Sequence, residues 1–321
     1  MSEHALARLK SEVGAVFVGQ EETVEVLLLA LIAGGHALLE GAPGLGKTTL
    51  VRALALGMEL DFKRVQFTPD LMPGDILGAR FLEEDESGKR SFRFLEGPVF
   101  TNVLLADEVN RATPRTQSAL LEAMQERQVT AWGETRPLEP PFFVIATQNP
   151  IEMEGTYALP EAQLDRFLAK IDVPSPKESD LVAILNSTCG EPVEPPRPQL
   201  SAADLLAVQR LVRALPASEA ILHRVARLVL ATDPRRPSSP AVVRDSLRFG
   251  ASPRGGQAVL MLAKARAFLA GRAWVDEADL EAIATPALRH RLVFNYEGEA
   301  SGISPDRLIA AAWKGSAKPA H

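Results

Sequence analysis

The sequence is poor in several features that define whole classes of protein. It contains one cysteine, Cys189, so an intramolecular disulfide framework is excluded and a reducing compartment is indicated. The formal net charge is -6, which weighs against a dedicated nucleic-acid binder because such proteins usually present a basic surface. The five histidines are scattered, without the short spacing that zinc ligands show. With these classes excluded or disfavoured, the composition is that of an ordinary globular protein.

Long hydrophobic runs are also missing. The most apolar stretch, residues 24–33, ends at Gly34-Gly35 and is far shorter than the ~20 residues that a membrane span needs. A buried helix that stops at glycine gives this pattern. The amino terminus begins Met1-Ser2-Glu3-His4, without the basic and then apolar segments of a secretory leader. We therefore expect a cytoplasmic protein without a membrane span.

The first half of the chain alternates short apolar runs with helical patterns. Central strands of a parallel sheet are apolar throughout because helices cover both faces of the sheet. The pattern therefore predicts an α/β fold with a five-stranded parallel sheet between helices. The predicted strands are residues 37–39, 65–67, 103–106, 142–146 and 167–173.

Two segments depart from this alternation. The mainly charged residues 83–90 lie between Phe81-Leu82 and Phe92-Arg93-Phe94, which predicts a β-hairpin with a solvated tip. Residues 129–132 and 135–138 flank a Gly-Glu pair and predict a second hairpin. Tolerated surface insertions give the same pattern.

The composition changes after residue 173. Pro174, Pro176 and the proline-rich residues 191–198 predict an extended linker. Helical patterns follow, and Ser201 and Asp276 are expected to cap two of them. We predict an α/β core over residues 1–177 and a linker with an all-helical domain over residues 178–321. The predicted helices of the second domain are residues 201–215, 219–232, 239–249, 255–270 and 276–285.

The most specific motif follows the first predicted strand. Residues 41–48 fit the phosphate-loop pattern at every fixed position, and a helical run follows them. Glycines let backbone N–H groups converge on a phosphate, and the helix N-terminus adds positive potential. Lys47 is then expected at the β- and γ-phosphates, and the Thr48 hydroxyl at Mg²⁺. The candidate binding residues of the loop are Ala42, Pro43, Gly44, Leu45, Gly46, Lys47, Thr48 and Thr49.

A second candidate motif is an acidic pair after the third predicted strand. A buried strand over residues 103–106 delivers Asp107 and Glu108 to its carboxyl end, where open α/β sheets bind ligands. Asp107 can complete a Mg²⁺ shell through water, and Glu108 can polarise the attacking water as a general base. Alone, such a pair often caps a helix; together with the phosphate loop it predicts nucleotide hydrolysis.

Four further segments, in order, resemble the MoxR family of AAA+ ATPases. They are residues 105–112, 117–124, 146–150 and 159–167. The resemblance extends from residue 18 to residue 291, nearly the whole chain. It implies an AAA+ core followed by a helical lid, with the nucleotide between the two domains. It also identifies the two predicted hairpins with the helix-2 insert and the hairpin before the sensor 1 strand.

The resemblance also implies roles for single residues. Asn149 matches sensor 1, which orients the attacking water; a turn asparagine before Pro150 is the alternative. Arg166 matches the arginine finger, which reaches the neighbouring subunit's nucleotide; a surface ion pair with Asp165 or Glu161 is the alternative. Arg254 matches sensor 2 at the start of a lid helix. For Arg111 a subunit contact and a structural role both stay open. The residues that match the adenine pocket are Val18, Gly19 and Gln20.

The resemblance implies ATP and Mg²⁺ as cofactors and a hexameric ring as the working form. Proteins of this family act as chaperone-like remodellers that assist complex maturation or metal-cofactor insertion, often with a partner that carries a von Willebrand factor A domain. Because every residue needed for hydrolysis is present, an active ATPase is expected rather than a binding-only relative.

Three other functions stay open from the sequence. A nucleic-acid motor would have similar hairpins, but the first tip is mainly acidic and the second offers only Trp132 and Arg136 beside Glu134, so the sequence disfavours nucleic acid as a partner. A slow nucleotide switch and a metal-chelatase motor subunit are the others. No second catalytic constellation is predicted, and His290 is expected to be a solvated or interface residue.

Overall fold

The computed structural model describes residues 2–84, 90–149, 156–189 and 194–317. Its strands are β1 (Ala37–Glu40), β2 (Phe62–Gln66), β3 (Gly78–Glu84), β4 (Arg90–Glu96), β5 (Val103–Asp107), β6 (Gln128–Ala131), β7 (Glu134–Pro137), β8 (Phe143–Gln148), β9 (Ala169–Asp172), β10 (Leu247–Phe249) and β11 (Val293–Phe294).

Its α-helices are α1 (Ser2–Val16), α2 (Glu21–Ile32), α3 (Lys47–Gly57), α4 (Pro73–Leu77), α5 (Pro114–Glu126), α6 (Glu161–Leu164), α7 (Glu178–Cys189), α8 (Ala202–Ala214), α9 (Glu219–Ala231), α10 (Ala241–Ser246), α11 (Pro253–Leu269), α12 (Glu277–Leu288), α13 (Tyr296–Ser301) and α14 (Pro305–Gly315). Two short 3₁₀ helices span Val109–Arg111 and Arg289–Arg291.

A five-stranded parallel sheet organises the first half of the chain, in the order β2-β5-β8-β1-β9. Each predicted apolar run contributes one strand, so the predicted α/β fold is confirmed. The central strands β5 and β8 are largely apolar on both faces because each face of the sheet is covered: Leu104 packs with α5, whereas Leu105 packs with α2 and α3. Because the strands are parallel, their carboxyl ends meet along one edge, where the phosphate loop begins.

The two predicted hairpins are confirmed as antiparallel pairs, β3–β4 and β6–β7. Residues 85–89 of the first predicted tip lie outside the described part of the chain. The hairpins are joined to each other: Arg80 pairs with Glu134 at 2.6 Å, and the rings of Phe94 and Trp132 lie 5.9 Å apart, edge to face. We call the two hairpins together the double hairpin.

The second half folds mostly as helices that pack on the core. Helices α8, α9, α11 and α12 share one buried cluster with α1 and α2, so the helical lid lies against one face of the sheet. The predicted caps are confirmed, because the Ser201 hydroxyl accepts a hydrogen bond from the Asp204 N–H and the Asp276 carboxylate accepts one from the Asp279 N–H.

Three sequence expectations for this half were wrong or incomplete. The predicted linker contains a helix, α7. The helix expected over residues 239–249 ends at Ser246, and the chain continues as β10, which pairs with β11 in a two-stranded antiparallel sheet. The turn after β10 leaves no room for a side chain, because a Cβ at Gly250 would lie 2.2 Å from the Thr232 carbonyl oxygen. Helices α13 and α14 were not predicted.

No helix in the described residues is long and apolar enough to cross a membrane.

Candidate active site

A cleft of about 370 Å³ opens at the carboxyl ends of the sheet strands, beside the phosphate loop. The cleft is lined by the phosphate loop with the start of α3, and by residues near or just after the ends of β2, β5 and β8. Its lining residues are Gly41, Pro43, Gly44, Leu45, Gly46, Lys47, Thr48, Arg64, Gln66, Asp107, Glu108, Thr147 and Asn149. Most of the predicted phosphate-site residues thus meet in one cleft, which we call the phosphate cleft. Of the predicted loop residues, Ala42 and Thr49 do not line it.

The loop owes its shape to its glycines. Gly44 and Gly46 have φ of +81° and +75°, a conformation that side chains other than glycine disfavour. A Cβ at Gly41 would lie 2.8 Å from the Val173 carbonyl oxygen, so this position also needs glycine. The loop ends where α3 begins at Lys47, which directs the N-terminus of that helix toward the cleft, as anion binding requires.

Lys47 lies at the base of the phosphate cleft. Its Nζ donates a hydrogen bond of 2.5 Å to the Gly41 carbonyl oxygen, which ties the side chain back to the start of its own loop. Burial lowers the pKa of Lys47, while the carboxylates of Asp107, Glu108 and Glu40 oppose this shift. The nearby acids therefore favour the charged form that a phosphate contact requires.

Asp107 ends strand β5 and has partners on both carboxylate oxygens. Thr147 of β8 donates its hydroxyl to Oδ1 at 2.5 Å, and Arg64 of β2 donates to Oδ2 through Nε at 3.0 Å and Nη2 at 2.6 Å. The Thr147 hydroxyl also accepts a hydrogen bond of 2.8 Å from the Glu108 N–H. One buried threonine therefore orients both acidic residues of the motif, a role that was not predicted from the sequence.

Glu108 has a left-handed backbone conformation with φ of 55°, which costs about 1 kcal/mol or more for a residue other than glycine. Its Oε2 accepts hydrogen bonds of 2.8 Å from Gln66 and from Arg111. For Arg111, whose role the sequence left open, the described contact is therefore within the subunit and to the proposed general base. Asn149, the sensor 1 candidate, lines the same cleft.

The predicted adenine-contact residues follow α1, close to the loop but outside the phosphate cleft. The Phe17 ring packs on the loop beside Gly46. A Cβ added at Gly46 would lie 3.3 Å from this ring. The Gln20 side chain donates to the Pro174 carbonyl oxygen at 3.2 Å. Val18 and Gly19 line a neighbouring pocket of about 890 Å³ between the first two helices and the lid.

Arg166 and Arg254 lie in another place. Both line a pocket of about 310 Å³ between the core and the lid, which we call the arginine pocket. Every described lining residue of the phosphate cleft lies between Gly41 and Asn149, so the lid contributes no residue to the described lining of that cleft. The charged residues that line the arginine pocket are Arg127, Arg166, Arg213, Arg254, Arg291 and Asp165.

Within the arginine pocket, Asp165 is held by the lid. It accepts a hydrogen bond of 2.7 Å from Arg291 and one of 3.0 Å from Ser252. Arg166 donates to the Leu121 carbonyl oxygen at 2.7 Å, and the described contacts include no ion pair between Arg166 and Asp165 or Glu161. Arg254 is exposed at the start of α11.

The expectation for His290 was wrong. Its side chain is buried, and its Nε2 lies 3.0 Å from the Phe167 carbonyl oxygen. Burial lowers the pKa of His290 well below the usual value, and the neighbouring Arg291 lowers it further. The flanking arginines suggested a solvated segment. Instead, the 3₁₀ helix Arg289–Arg291 places the His290 side chain between the lid and the core, against Phe167.

The donor set fits magnesium that is bound together with phosphates. In the described residues no group of three or more His, Cys, Asp or Glu side chains could hold a metal ion. The Thr48 hydroxyl and the Asp107 carboxylate nevertheless line the same cleft, and both are oxygen ligands. Mg²⁺ commonly takes one or two protein ligands and completes its shell with phosphate oxygens and water, so this cleft suits a Mg²⁺–nucleotide complex.

Comparisons with known proteins agree with this geometry. Residues 36–169 match the profile of the ATPase family associated with various cellular activities, and residues 240–312 match the AAA lid domain. The chain is 44% identical over 312 residues to Chaperone MoxR1 of Mycobacterium tuberculosis, covering 95% of this chain and 80% of the relative. It is 34% identical over 324 residues to Protein MoxR of Methylorubrum extorquens, covering 95% and 93%.

A solved structure extends the likeness to three dimensions. A protein from Cytophaga hutchinsonii, described as a candidate ATPase, superimposes with a TM-score of 0.90 at 39% sequence identity, over 98% of this chain and 94% of that chain. The phosphate cleft, the parallel sheet and the helical lid define a P-loop ATPase of the AAA+ class. Within that class, the chain belongs to the MoxR family and is a chaperone-like ATPase.

Proposed function

We propose that this protein hydrolyses Mg²⁺-bound ATP between the subunits of a hexameric ring and uses the energy to remodel a partner protein or complex. The observation that carries the proposal is the separation of two charged sites in one chain. Lys47, Asp107 and Glu108 lie in the phosphate cleft, whereas Arg166 and Arg254 lie in the arginine pocket. Residues needed for the same reaction are therefore divided between two surfaces.

In the phosphate cleft, each side chain has a distinct task. Backbone N–H groups of the loop and the Lys47 ammonium would bind the β- and γ-phosphates, and Thr48 and Asp107 would hold a Mg²⁺ ion, which would neutralise phosphate charge. Glu108 accepts the proton of the attacking water at its carboxylate. Asn149 orients that water. Thr147 fixes the relative orientation of the two acids through its bonds to Asp107 and to the Glu108 backbone.

The charge balance supports sharing between subunits. Among its described lining residues, the arginine pocket has five arginines against one carboxylate, which is itself engaged by Arg291. Clustered guanidinium groups repel each other, and an anion bound among them relieves that repulsion. A polyphosphate in the phosphate cleft of a second copy supplies such an anion. Arg166 and Arg254 then stabilise the transferring phosphoryl group in the neighbouring subunit.

The double hairpin is our candidate contact surface for the client. It exposes large apolar side chains beside charged ones, and clusters of this kind mark interaction sites. The relatives named as chaperone and MoxR proteins support the remodelling role. A partner with a von Willebrand factor A domain, a role in metal-cofactor insertion and a cytoplasmic location are parts of the same proposal. The exposed apolar residues of the double hairpin include Phe81, Leu82, Phe92, Leu95 and Trp132.

The concentration dependence of ATP hydrolysis tests the proposal. Because each site needs a second copy, the specific activity of the purified protein should rise with protein concentration and depend on Mg²⁺. Lys47→Ala should lose ATP binding, and Glu108→Gln should bind ATP without turnover. A specific activity that is unchanged on dilution to monomer would rule out sharing between subunits.

A slow nucleotide switch is the second candidate function. It is favoured by the two hydrogen bonds that hold Glu108 Oε2, from Gln66 and Arg111, since a base so held is less free to meet the attacking water. Tight ATP binding by the assembled protein with negligible turnover would support the switch. Sustained turnover by the same assembly would reject it.

A further inference from the structure

Arg64 is an unassigned cation in the phosphate cleft. It lies on β2, where Val65 faces the core and Arg64 and Gln66 face the cleft. Its guanidinium makes two hydrogen bonds to one oxygen of Asp107, at 3.0 and 2.6 Å. The same Nη2 also donates to the Gln66 side-chain oxygen at 2.8 Å. Arg64 therefore contacts the carboxylate that the proposed mechanism assigns to Mg²⁺.

The contact extends to the second acid of the site. Gln66 accepts from Arg64 with its amide oxygen and donates from its amide nitrogen to Glu108 at 2.8 Å. Both ends of the amide are thus in use, which fixes its orientation. Through this arrangement one guanidinium is linked to both acids, directly to Asp107 and through Gln66 to Glu108.

A divalent cation and a guanidinium have competing demands on the same carboxylate. The Thr147 hydroxyl occupies Oδ1 of Asp107, and Arg64 takes Oδ2. A Mg²⁺-bound water that is to reach Asp107 must share or replace one of these partners. Arg64 is the easier one to move, because its side chain is 47% exposed whereas Thr147 is buried. Ion pairs that reach solvent are weak and rearrange at low cost.

We propose that Arg64 is a positioning residue that competes with the nucleotide's Mg²⁺ for Asp107 and so sets the metal affinity of the cleft. When the metal displaces Arg64 from Asp107, Gln66 loses the partner that fixes its amide, and its hold on Glu108 loosens. Metal binding is thereby coupled to the freedom of the general base. The inference rests on the proposed function, because it assumes that Mg²⁺ and nucleotide bind in this cleft.

Metal affinity, measured without turnover, tests the inference. Mn²⁺ replaces Mg²⁺ as the probe, and electron paramagnetic resonance counts free Mn²⁺ in the presence of protein and a non-hydrolysable ATP analogue. Arg64→Gln should bind Mn²⁺ about threefold to tenfold more tightly than the wild-type protein, as expected for the loss of one partly exposed charged competitor. Arg64→Lys should lie nearer to the wild type, since it keeps the charge.

Two control variants separate competition at Asp107 from a general charge effect. Arg111→Gln removes an equal charge whose described contact is with Glu108, and Lys63→Gln removes one whose described contact is with the Phe100 carbonyl oxygen. Both should change Mn²⁺ affinity less than Arg64→Gln does. An equal gain in Arg111→Gln, or unchanged or weaker binding in Arg64→Gln, would overturn the inference. Failure of the wild-type protein to hold Mn²⁺ with the analogue would instead overturn the proposed function.

Discussion

The phosphate cleft and the arginine pocket are built in different ways. The cleft is made by a loop and strand ends of one sheet, and its charges nearly balance, with Lys47 and Arg64 facing Asp107 and Glu108. The pocket forms only where the lid meets the core, and its described lining is dominated by arginine. The difference is consistent with the proposal that the two sites work together across a subunit boundary, because a bound polyphosphate would bring negative charge to the cleft and the arginine pocket offers positive charge.

Loss of Arg166 should have the largest effect on turnover. If the arginine pocket serves the neighbouring phosphate cleft, Arg166→Ala lowers the hydrolysis rate by about 10³- to 10⁵-fold, as for other arginine fingers. The affinity for ATP should change little, because the phosphate cleft of the same chain is intact. Stopped ATPase assays and nucleotide titrations measure the two quantities. As a matched control, Arg115→Ala removes an exposed arginine from the first turn of α5 and should retain the wild-type rate.

Loss of the general base tests the phosphate cleft itself. Glu108→Gln keeps the size of the side chain but removes proton acceptance, so the rate should fall by about 10²- to 10⁴-fold. ATP binding should be retained, in contrast to Lys47→Ala, which should lose it. If Glu108→Gln hydrolysed ATP at the wild-type rate, the assignment of Glu108 would be wrong.

Thr147 should matter for both stability and rate. Thr147→Val keeps the shape but removes the hydroxyl that donates to Asp107 and accepts from the Glu108 N–H. Leaving such groups unpaired costs about 1–3 kcal/mol of unfolding free energy, and turnover should fall because both acids lose their orientation. Urea denaturation and ATPase assays test this. Thr147→Ser keeps a hydroxyl and should recover most of the unfolding free energy and most of the turnover. A serine variant as impaired as the valine variant would contradict the role of the hydroxyl.

His36 offers a test of pH dependence on the arginine-pocket side, which it lines. Its Nδ1 accepts from the Val144 N–H and its Nε2 contacts the Met124 carbonyl oxygen. Burial lowers the pKa of His36 to about 4, with Arg127 adding to the shift. The folded state then binds fewer protons than the unfolded state between about pH 4 and 6.5, so stability is complete above that window and is lost as the pH falls through it.

The expected loss from His36 is about 3 kcal/mol across this window. Urea unfolding at several pH values gives the slope, and His36→Gln should flatten it because glutamine does not titrate. Equal slopes in the two proteins would show that protonation of His36 does not oppose folding. The phosphate cleft should keep its nucleotide affinity in His36→Gln, since His36 is not among its lining residues.

The same two regions show what a sequence can predict. The phosphate loop was identified residue by residue because its chemistry depends on a contiguous segment. Arg64, Gln66 and Thr147 were missed because each is a single polar residue on a strand, and only the strand order β2-β5-β8 brings them beside Asp107 and Glu108. The alternation of Arg64, Val65 and Gln66 was the one available signal that β2 presents polar side chains to a common face.

The lid was predicted less well for related physical reasons. Strands β10 and β11 are too short to give a periodic pattern, and they pair across a long chain separation. His290 lies between two arginines in sequence, yet packing against the core buries it. The arginine pocket is lined by residues from α5, from the segment after α6 and from α11, so family resemblance could name Arg166 and Arg254 but could not predict that they lie together.

Mixing two inactive variants tests the division of the active site most directly. Arg166→Ala removes the arginine that we propose serves the neighbouring subunit, and Glu108→Gln removes the proposed base but keeps that arginine. In a randomly mixed ring, about one quarter of the interfaces pair an intact base with an intact arginine. Catalysis shared between chains predicts that ATP hydrolysis returns on mixing the two assembled proteins. A mixture as inactive as its components, despite proven co-assembly, would contradict the account.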